Sequence, residues 1–207
     1  GSAYASVMKP TPSVTEVGGF DSASRDMFDA LDEFGNTLLS ALALYLELPV
    51  HWFHAHVQWG NSILRLLHYP AQEVAPPKGS VRAGAHEDIN LITLLLGAQE
   101  AGLQVKHACG AWLDVNPSQG DLVLNCGDML QRLTGGLLPS TSHRVLNPSP
   151  ERAKFPRYSM PFFLHPNFDF EINALEGCLA KGGVVQPAIT AGEFLYQRLV
   201  QIGLIKP

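Results

Sequence analysis

A run of six residues, Leu91–Leu96, five of them aliphatic, limits the possible folds of this chain more than any other segment. So short and apolar a run is typical of a β-strand that is buried on both faces of a sheet. We predict a single strand, Ala85–Leu96, that begins with His86 and Asp88. Because side chains alternate along a strand, His86 and Asp88 are expected to point the same way and Glu87 the other. An imidazole and a carboxylate that converge from a rigid element indicate a metal site.

A third ligand for such a site has to come from a distant strand, and His143 in the segment Ser140–Val145 is the candidate. Two imidazoles and one carboxylate on one side of a metal leave its other positions open for a substrate and O₂. This arrangement is typical of non-haem Fe(II) oxygenases, although zinc hydrolases use similar ligands. Further along the chain, Arg157 and Ser159 are expected on one face of a strand, where a guanidinium fork and a hydroxyl suit a carboxylate.

These residues and their order along the chain resemble the isopenicillin N synthase-like family of Fe(II)/2-oxoglutarate-dependent dioxygenases. The matching residues are His86-x-Asp88, then His143, then Arg157-x-Ser159. Similar segments between and beside them are Leu64–Pro70, Gly102–Val105, Trp112–Val115 and Gly127–Gln131. The resemblance runs from about Phe20 to the end of the chain. It implies a mainly β fold with flanking helices, built on a double-stranded β-helix, or jelly roll.

The resemblance also assigns roles to individual residues. It implies no catalytic residue beyond the Fe(II) ligands, which are His86, Asp88 and His143. It implies that the distal carboxylate of 2-oxoglutarate is bound by Arg157 and Ser159, with Tyr69 as a helper in cofactor binding. The implied reaction consumes O₂ and 2-oxoglutarate and releases succinate and CO₂. In the same reaction a small organic substrate is hydroxylated, desaturated or cyclised.

Two further residues are expected at the substrate. Phe163 follows Arg157 at an even offset on what we predict to be one strand, Lys154–Leu164, so alternation turns both side chains inward. An aromatic ring at that position would line the mouth of the pocket and favour a substrate with an apolar or aromatic part. Leu67 stands where the family often has Asn, two positions before Tyr69, which makes this part of the pocket more apolar.

Two other functions fit the same residues. One is an Fe(II) oxidase of the isopenicillin N synthase type, which shares the Arg-x-Ser pair but does not use 2-oxoglutarate. The other is a non-catalytic jelly-roll binding module whose site is vestigial. The family usually has a longer N-terminal region than the one that precedes the helix predicted at Asp21. That difference bears on whether this form is active alone.

Gly and Pro residues divide the chain into short segments, which predict an all-β sandwich or a jelly roll with helices outside it. We expect residues 1–20 to be a loop or the remnant of a longer N-terminal region. Residues 21–207 are then the dioxygenase domain, with the jelly-roll core at about 62–165.

Hydrophobic periodicity predicts the individual elements. A first helix is expected from Asp21 to a point before Pro49, where the restriction on the residue before proline ends it. A last helix is expected at Thr190–Ile202, with Thr190 as the N-cap residue. Other strands are predicted at Ile63–Tyr69, Leu103–Val105, Trp112–Val115 and Asp121–Asn125, with Met129–Leu133 as a strand or extended segment.

Composition and charge exclude several other functions. The formal net charge is −5 without a basic patch, so nucleic acid is not an expected partner. No apolar run approaches the ~20 residues that span a bilayer, so no membrane partner is expected either. The three cysteines form no CxxC pattern, which indicates reduced thiols in a cytoplasmic protein rather than a disulfide framework. The expected partner is a small-molecule substrate, and the sequence carries no indication of the oligomeric state.

Overall fold

The computed structural model describes residues 11–74, 76–96, 102–118 and 120–206. Within these ranges the helices are α1 (Phe20–Tyr45), α2 (His54–Val57), α3 (Asp128–Leu133), α4 (Pro150–Ala153), α5 (Glu176–Ala180) and α6 (Ala191–Gln201). The strands are β1 (Ile63–Leu64), β2 (Leu67–Tyr69), β3 (Ala83–His86), β4 (Ile92–Leu96), β5 (Leu103–Lys106), β6 (Trp112–Asp114), β7 (Leu122–Cys126), β8 (His143–Val145), β9 (Arg157–Ser159), β10 (Pro161–Leu164), β11 (Glu171–Ile172) and β12 (Ile189–Thr190).

In the described part of the chain, these strands form two four-stranded sheets and two small sheets. The four-stranded sheets have the orders β1-β10-β4-β7 and β3-β8-β5-β6, and the small sheets are β2-β9 and β11-β12. All pairs are antiparallel, and most join strands that are distant in sequence, such as β10 beside β4 and β8 beside β3. This arrangement is that of a jelly roll. The predicted double-stranded β-helix with flanking helices is therefore confirmed.

Helix α1 covers one face of the β1-β10-β4-β7 sheet. Phe28 of α1 meets Phe162 of β10 edge to face, with 5.2 Å between the ring centroids. At Gly35 the helix lies so close to β10 that an added Cβ would stand 2.6 Å from Cδ1 of Leu164. Phe162 and Leu164 are fully buried, and burial of a side chain of this size stabilises a fold by about 1.5–3 kcal/mol. Since α1 occupies this face, only the opposite face of the sheet is available for a site.

Three segments that the sequence predicts as single strands are each broken into two strands. The predicted strands Ile63–Tyr69, Ala85–Leu96 and Lys154–Leu164 form, respectively, β1 and β2, β3 and β4, and β9 and β10. In each case the two strands belong to different sheets. At one break the amide of Arg65 donates to the carbonyl of Pro161 (3.0 Å). A jelly roll passes its chain from one sheet to another at such corners, and an apolar pattern does not show where they fall.

The prediction of an extended segment at Met129–Leu133 is wrong, because this segment lies in the helix α3. The first amides of α3 find acceptors in the loop before β4: Asp128 donates to the carbonyl of Asp88 (2.8 Å), and Met129 to that of Asn90 (3.2 Å). These bonds satisfy donors that a helix N-terminus leaves without an intrahelical partner. The approach is close enough that a Cβ on Gly127 would stand 2.2 Å from the carbonyl oxygen of Asn90. Contacts between distant segments therefore stabilise this short helix.

The two terminal helices agree with their predictions. Helix α1 ends at Tyr45, before Pro49. The hydroxyl of Thr190 accepts a hydrogen bond from the amide of Glu193 (3.2 Å) and caps α6 as expected. Residues 11–19 form no helix or strand, while 1–10 of the predicted N-terminal loop lie outside the described residues. None of the described helices is both long and apolar enough to cross a bilayer.

Candidate active site

The three predicted metal ligands lie together at one end of the β3-β8 pair. His86 is the last residue of β3 and His143 the first of β8, and they are cross-strand neighbours with ring centroids 4.4 Å apart. Asp88 follows β3, and its Oδ1 lies 3.8 Å from Nε2 of His143. One potential ligand atom from each of the three residues lies within 4.8 Å of the other two. Two imidazole nitrogens and one carboxylate oxygen at this spacing fit Fe(II) and leave its remaining positions open.

Backbone carbonyls orient both imidazoles. Nδ1 of His86 lies 2.8 Å from the carbonyl oxygen of Gly84, and Nδ1 of His143 lies 3.1 Å from that of Thr141. A carbonyl oxygen only accepts hydrogen bonds, so in both rings Nδ1 carries the proton and Nε2 keeps its lone pair. Such contacts fix the tautomer and the ring orientation of metal-binding histidines. Each ring is thus prepared to bind a metal through Nε2.

The carboxylate of Asp88 is held through one of its two oxygens. Oδ2 accepts hydrogen bonds from the hydroxyl of Thr93 (2.7 Å) and from the side-chain amide of Asn125 (2.9 Å). Thr93 in turn accepts a bond from Nδ2 of Asn90 (3.0 Å). Asp88 is buried, and with Oδ2 held in this way Oδ1 is the oxygen near His143.

The structure brings His86 and Asp88 together by a route other than the predicted one. The single strand Ala85–Leu96 does not exist, because β3 ends at His86 and Asp88 belongs to the loop that leads to β4. Side-chain alternation along one strand therefore does not explain their convergence. The hydrogen bonds of that loop to α3 turn the chain so that His86 stays exposed while Asp88 is buried.

The row of residues that faces Asp88 crosses three strands of the β1-β10-β4-β7 sheet. Phe163 of β10 pairs with Thr93 of β4, and Thr93 pairs with Asn125 of β7. Paired residues in an antiparallel sheet point to the same face, so half-buried Phe163 shares the face of Asp88's hydrogen-bond donors. Alternation from Arg157 along one strand predicts the same side for Phe163, but that strand is broken at Met160. The roles of Thr93 and Asn125 were missed, since Thr93 reaches Asp88 through the loop before β4 and Asn125 through the register of β7 on β4.

His165 is a third residue of this region whose role could not be predicted from the sequence. It directly follows β10 and is buried. Burial lowers the pKa of His165 to about 4, and the nearby carboxylate of Asp88 opposes this shift. At neutral pH the ring is therefore uncharged, so it adds no positive charge beside Asp88. The even offset from Phe163 along β10 was the signal that could have found it.

Arg157 and Ser159, predicted to bind the cosubstrate, lie on the β2-β9 sheet. Arg157 pairs with Tyr69, and Ser159 pairs with Leu67, so the four side chains share one face. Arg157 and Ser159 are buried, and the guanidinium carbon of Arg157 lies 5.6 Å from the centroid of the Tyr69 ring. Leu67 therefore lies beside the predicted carboxylate site, rather than in the row of Phe163.

A Thr93→Val variant is expected to bind Fe(II) about 10–100-fold more weakly, because loss of a group that orients a metal ligand typically has this effect. Valine keeps the shape of threonine but removes the donor to Oδ2 of Asp88 and the acceptor for Asn90. Metal titration followed by calorimetry measures the change. Thr37→Val, on the exposed side of α1, is the matched control. Equal Fe(II) affinity in both variants would contradict the orienting role of Thr93.

Comparison with known proteins places this arrangement in a family. The family model of the 2OG-Fe(II) oxygenase superfamily matches residues 60–166, the range that contains all the predicted site residues. The 2-oxoglutarate-Fe(II) type oxidoreductase hxnY of Emericella nidulans is 36% identical over 171 residues, which are 82% of this chain and 48% of that protein. The chain spans about half the length of the curated relatives that it matches.

Solved structures of similar proteins agree with the observed fold. A 2OG-Fe(II) oxygenase family protein from Caulobacter crescentus is 48% identical, with a TM-score of 0.89 over 98% of this chain and 66% of that one. A full-length Neurospora crassa protein, solved in complex with alpha-KG, is 35% identical, with a TM-score of 0.84 over 93% of this chain and 62% of that one. With the jelly roll and the His-x-Asp…His cluster described above, these matches show that the chain belongs to the 2OG-Fe(II) oxygenase superfamily.

Proposed function

We propose that this chain is the catalytic domain of an Fe(II)- and 2-oxoglutarate-dependent oxygenase that oxidises a small organic substrate and releases succinate and CO₂. The observation that carries the proposal is the cluster of His86, Asp88 and His143, in which two imidazoles and a carboxylate converge. Hydrogen bonds to the backbone and to Thr93 and Asn125 hold these groups in place. A set of three ligands prepared in this way suits a metal that must keep positions open.

In this proposal the metal supplies the oxidising chemistry with O₂, and the protein supplies orientation. His86, Asp88 and His143 would hold Fe(II). Arg157 and Ser159 would bind the distal carboxylate of 2-oxoglutarate through charge-assisted hydrogen bonds, with Tyr69 beside them. The complex of the Neurospora crassa protein with alpha-KG supports the choice of cosubstrate.

Measurement of succinate separates this function from its alternatives. Purified protein loaded with Fe(II) should form succinate from 2-oxoglutarate in air, and a true substrate should accelerate the reaction. O₂ consumption without succinate would indicate an oxidase of the isopenicillin N synthase type. A protein that binds neither Fe(II) nor 2-oxoglutarate would be a non-catalytic binding module.

We also propose that Phe163 lines the substrate pocket. It is half-buried and shares the sheet face of Thr93, so its ring is available on the side of Asp88. An aromatic ring at this position would favour a substrate with an apolar or aromatic part. The Neurospora crassa protein has been solved with thymine, a flat ring, as well as alpha-KG, which is in line with such a substrate. Leu67 would add apolar surface nearer the cosubstrate.

A Phe163→Ala variant is expected to lose most substrate-stimulated succinate formation while its 2-oxoglutarate binding stays near that of the wild type. The reason is that the ring contributes apolar area at the substrate, whereas the proposed carboxylate site lies on the separate β2-β9 sheet. Phe155→Ala, which removes an exposed ring, serves as the control. Unaltered turnover in the folded Phe163→Ala protein would place this residue outside the pocket, and failure to fold would assign it to the core.

We place the enzyme in the cytoplasm as part of the same proposal. Cys109, Cys126 and Cys178 are all free thiols, which is typical of a reducing compartment. Fe(II) is also retained more readily in such a compartment.

A further inference from the structure

Arg82 is a second guanidinium at the cosubstrate end of the site. It directly precedes β3, the strand that ends at His86. Its guanidinium carbon lies 5.5 Å from the centroid of the Tyr69 ring, and that of Arg157 lies 5.6 Å from the same centroid. Two cations from segments that are far apart in sequence therefore contact a single aromatic ring. Cation–π attraction to that ring holds both side chains in place.

Part of the Arg82 side chain is buried without a polar partner. Nη2 is shielded from solvent and makes no hydrogen bond in the described structure. No carboxylate among the described residues forms an ion pair with Arg82. A buried donor on a charged group is costly when it has no acceptor. An anion bound beside Tyr69 would remove that cost.

We propose that Arg82 acts with Arg157 to bind the distal carboxylate of 2-oxoglutarate; this inference rests on the proposed function. A carboxylate offers about four lone-pair positions, and one bidentate guanidinium occupies about two of them. The neighbouring side chains leave room for a second donor, since Ser159 provides one hydroxyl and Leu67, its cross-strand neighbour, has no polar side-chain atom. Arg82 thus makes the pocket selective for 2-oxo acids that carry a second carboxylate.

The test compares two ligands that differ only at the distal group. 2-Oxoglutarate has a carboxylate there, whereas 2-oxopentanoate has a methyl group. Binding of each to the Fe(II)-loaded full chain is measured anaerobically by calorimetry, a readout that does not depend on turnover. Arg82→Met keeps the length of the side chain and removes its charge. We expect about tenfold weaker binding of 2-oxoglutarate and no change for 2-oxopentanoate. The control variant Arg25→Met removes an exposed cation from α1 and should change neither affinity.

Several results would overturn the inference. If Arg82→Met weakens the binding of both ligands equally, Arg82 only supports the pocket through its contact with Tyr69. If the variant binds both ligands as the wild type does, Arg82 has no part in binding. If Arg82→Met fails to fold, Arg82→Lys is the second variant, because it keeps the charge but loses the planar fork. Its preference for 2-oxoglutarate over 2-oxopentanoate should still be lower than that of the wild type. An unchanged preference in that variant counts against the inference. A wild-type protein that binds neither acid contradicts the proposed function itself, which distinguishes the two failures.

Discussion

An Asp88→Ala variant is expected to bind Fe(II) more than about 100-fold more weakly than the wild-type protein, a larger loss than removal of an orienting group produces. The change deletes one of three proposed ligands and the only negative charge among them. It also leaves the hydroxyl of Thr93 and the amide of Asn125 without the acceptor that they share. Anaerobic titration with Fe(II), followed by calorimetry, measures the affinity.

Controls must separate this loss from damage to the fold, because Asp88 is buried. Asp169→Ala removes an exposed carboxylate between β10 and β11 and should leave Fe(II) binding unchanged. Asp88→Asn keeps the size of the side chain, so a folded Asp88→Asn protein with weak Fe(II) binding assigns the effect to the ligand. Wild-type affinity in either Asp88 variant would show that the ion is bound elsewhere.

An Arg157→Ala variant is expected to need at least about tenfold more 2-oxoglutarate for half-saturation. Loss of a charge-assisted hydrogen bond costs about 1.5–3 kcal/mol, and each ~1.4 kcal/mol corresponds to a factor of ten. Arg157 is buried on the face that it shares with Ser159 and Tyr69, so water replaces the guanidinium poorly. The charge-transfer band of the anaerobic Fe(II) protein with 2-oxoglutarate provides the titration.

Fe(II) affinity serves as the internal control for this variant, because Arg157 is not among the proposed metal ligands. Arg65→Ala removes an exposed arginine between β1 and β2 and should leave the 2-oxoglutarate concentration at half-saturation unchanged. If Arg157→Ala titrates with 2-oxoglutarate like the wild type, the carboxylate is bound by other residues.

The residue types of the candidate site could be recognised from the sequence because their chemistry and order belong to the chain itself. His86, Asp88 and His143 were identified in this way, and the fold brings them together. Helices α1 and α6 were predictable for a similar reason, since long segments with apolar residues at helical spacing carry their own signal. The cap at Thr190 is equally local, as it involves residues only three positions apart.

The strand breaks and the helix α3 depend on contacts between distant segments. The loop before β4 leaves the strand conformation where its carbonyls accept hydrogen bonds from Asp128 and Met129. A helix as short as α3 is marginal without such support, so its own sequence carries too little information to predict it. The break at Met160 also depends on the arrangement of the sheets, because the chain passes there from the β2-β9 sheet to the β1-β10-β4-β7 sheet.

The partners of the site residues were decided only by the tertiary structure. Thr93 reaches Asp88 within one loop and strand, but Asn125 does so because β7 pairs with β4 in one particular register. Arg82 meets Tyr69 through a contact that strand pairing alone does not predict. Strand register is selected by the burial of whole sheet faces, and a shift of one residue would turn every side chain to the other face. The sequence by itself therefore determined the candidate ligands and the candidate cosubstrate arginine, whereas strand register and contacts between distant segments determined which side chains orient them.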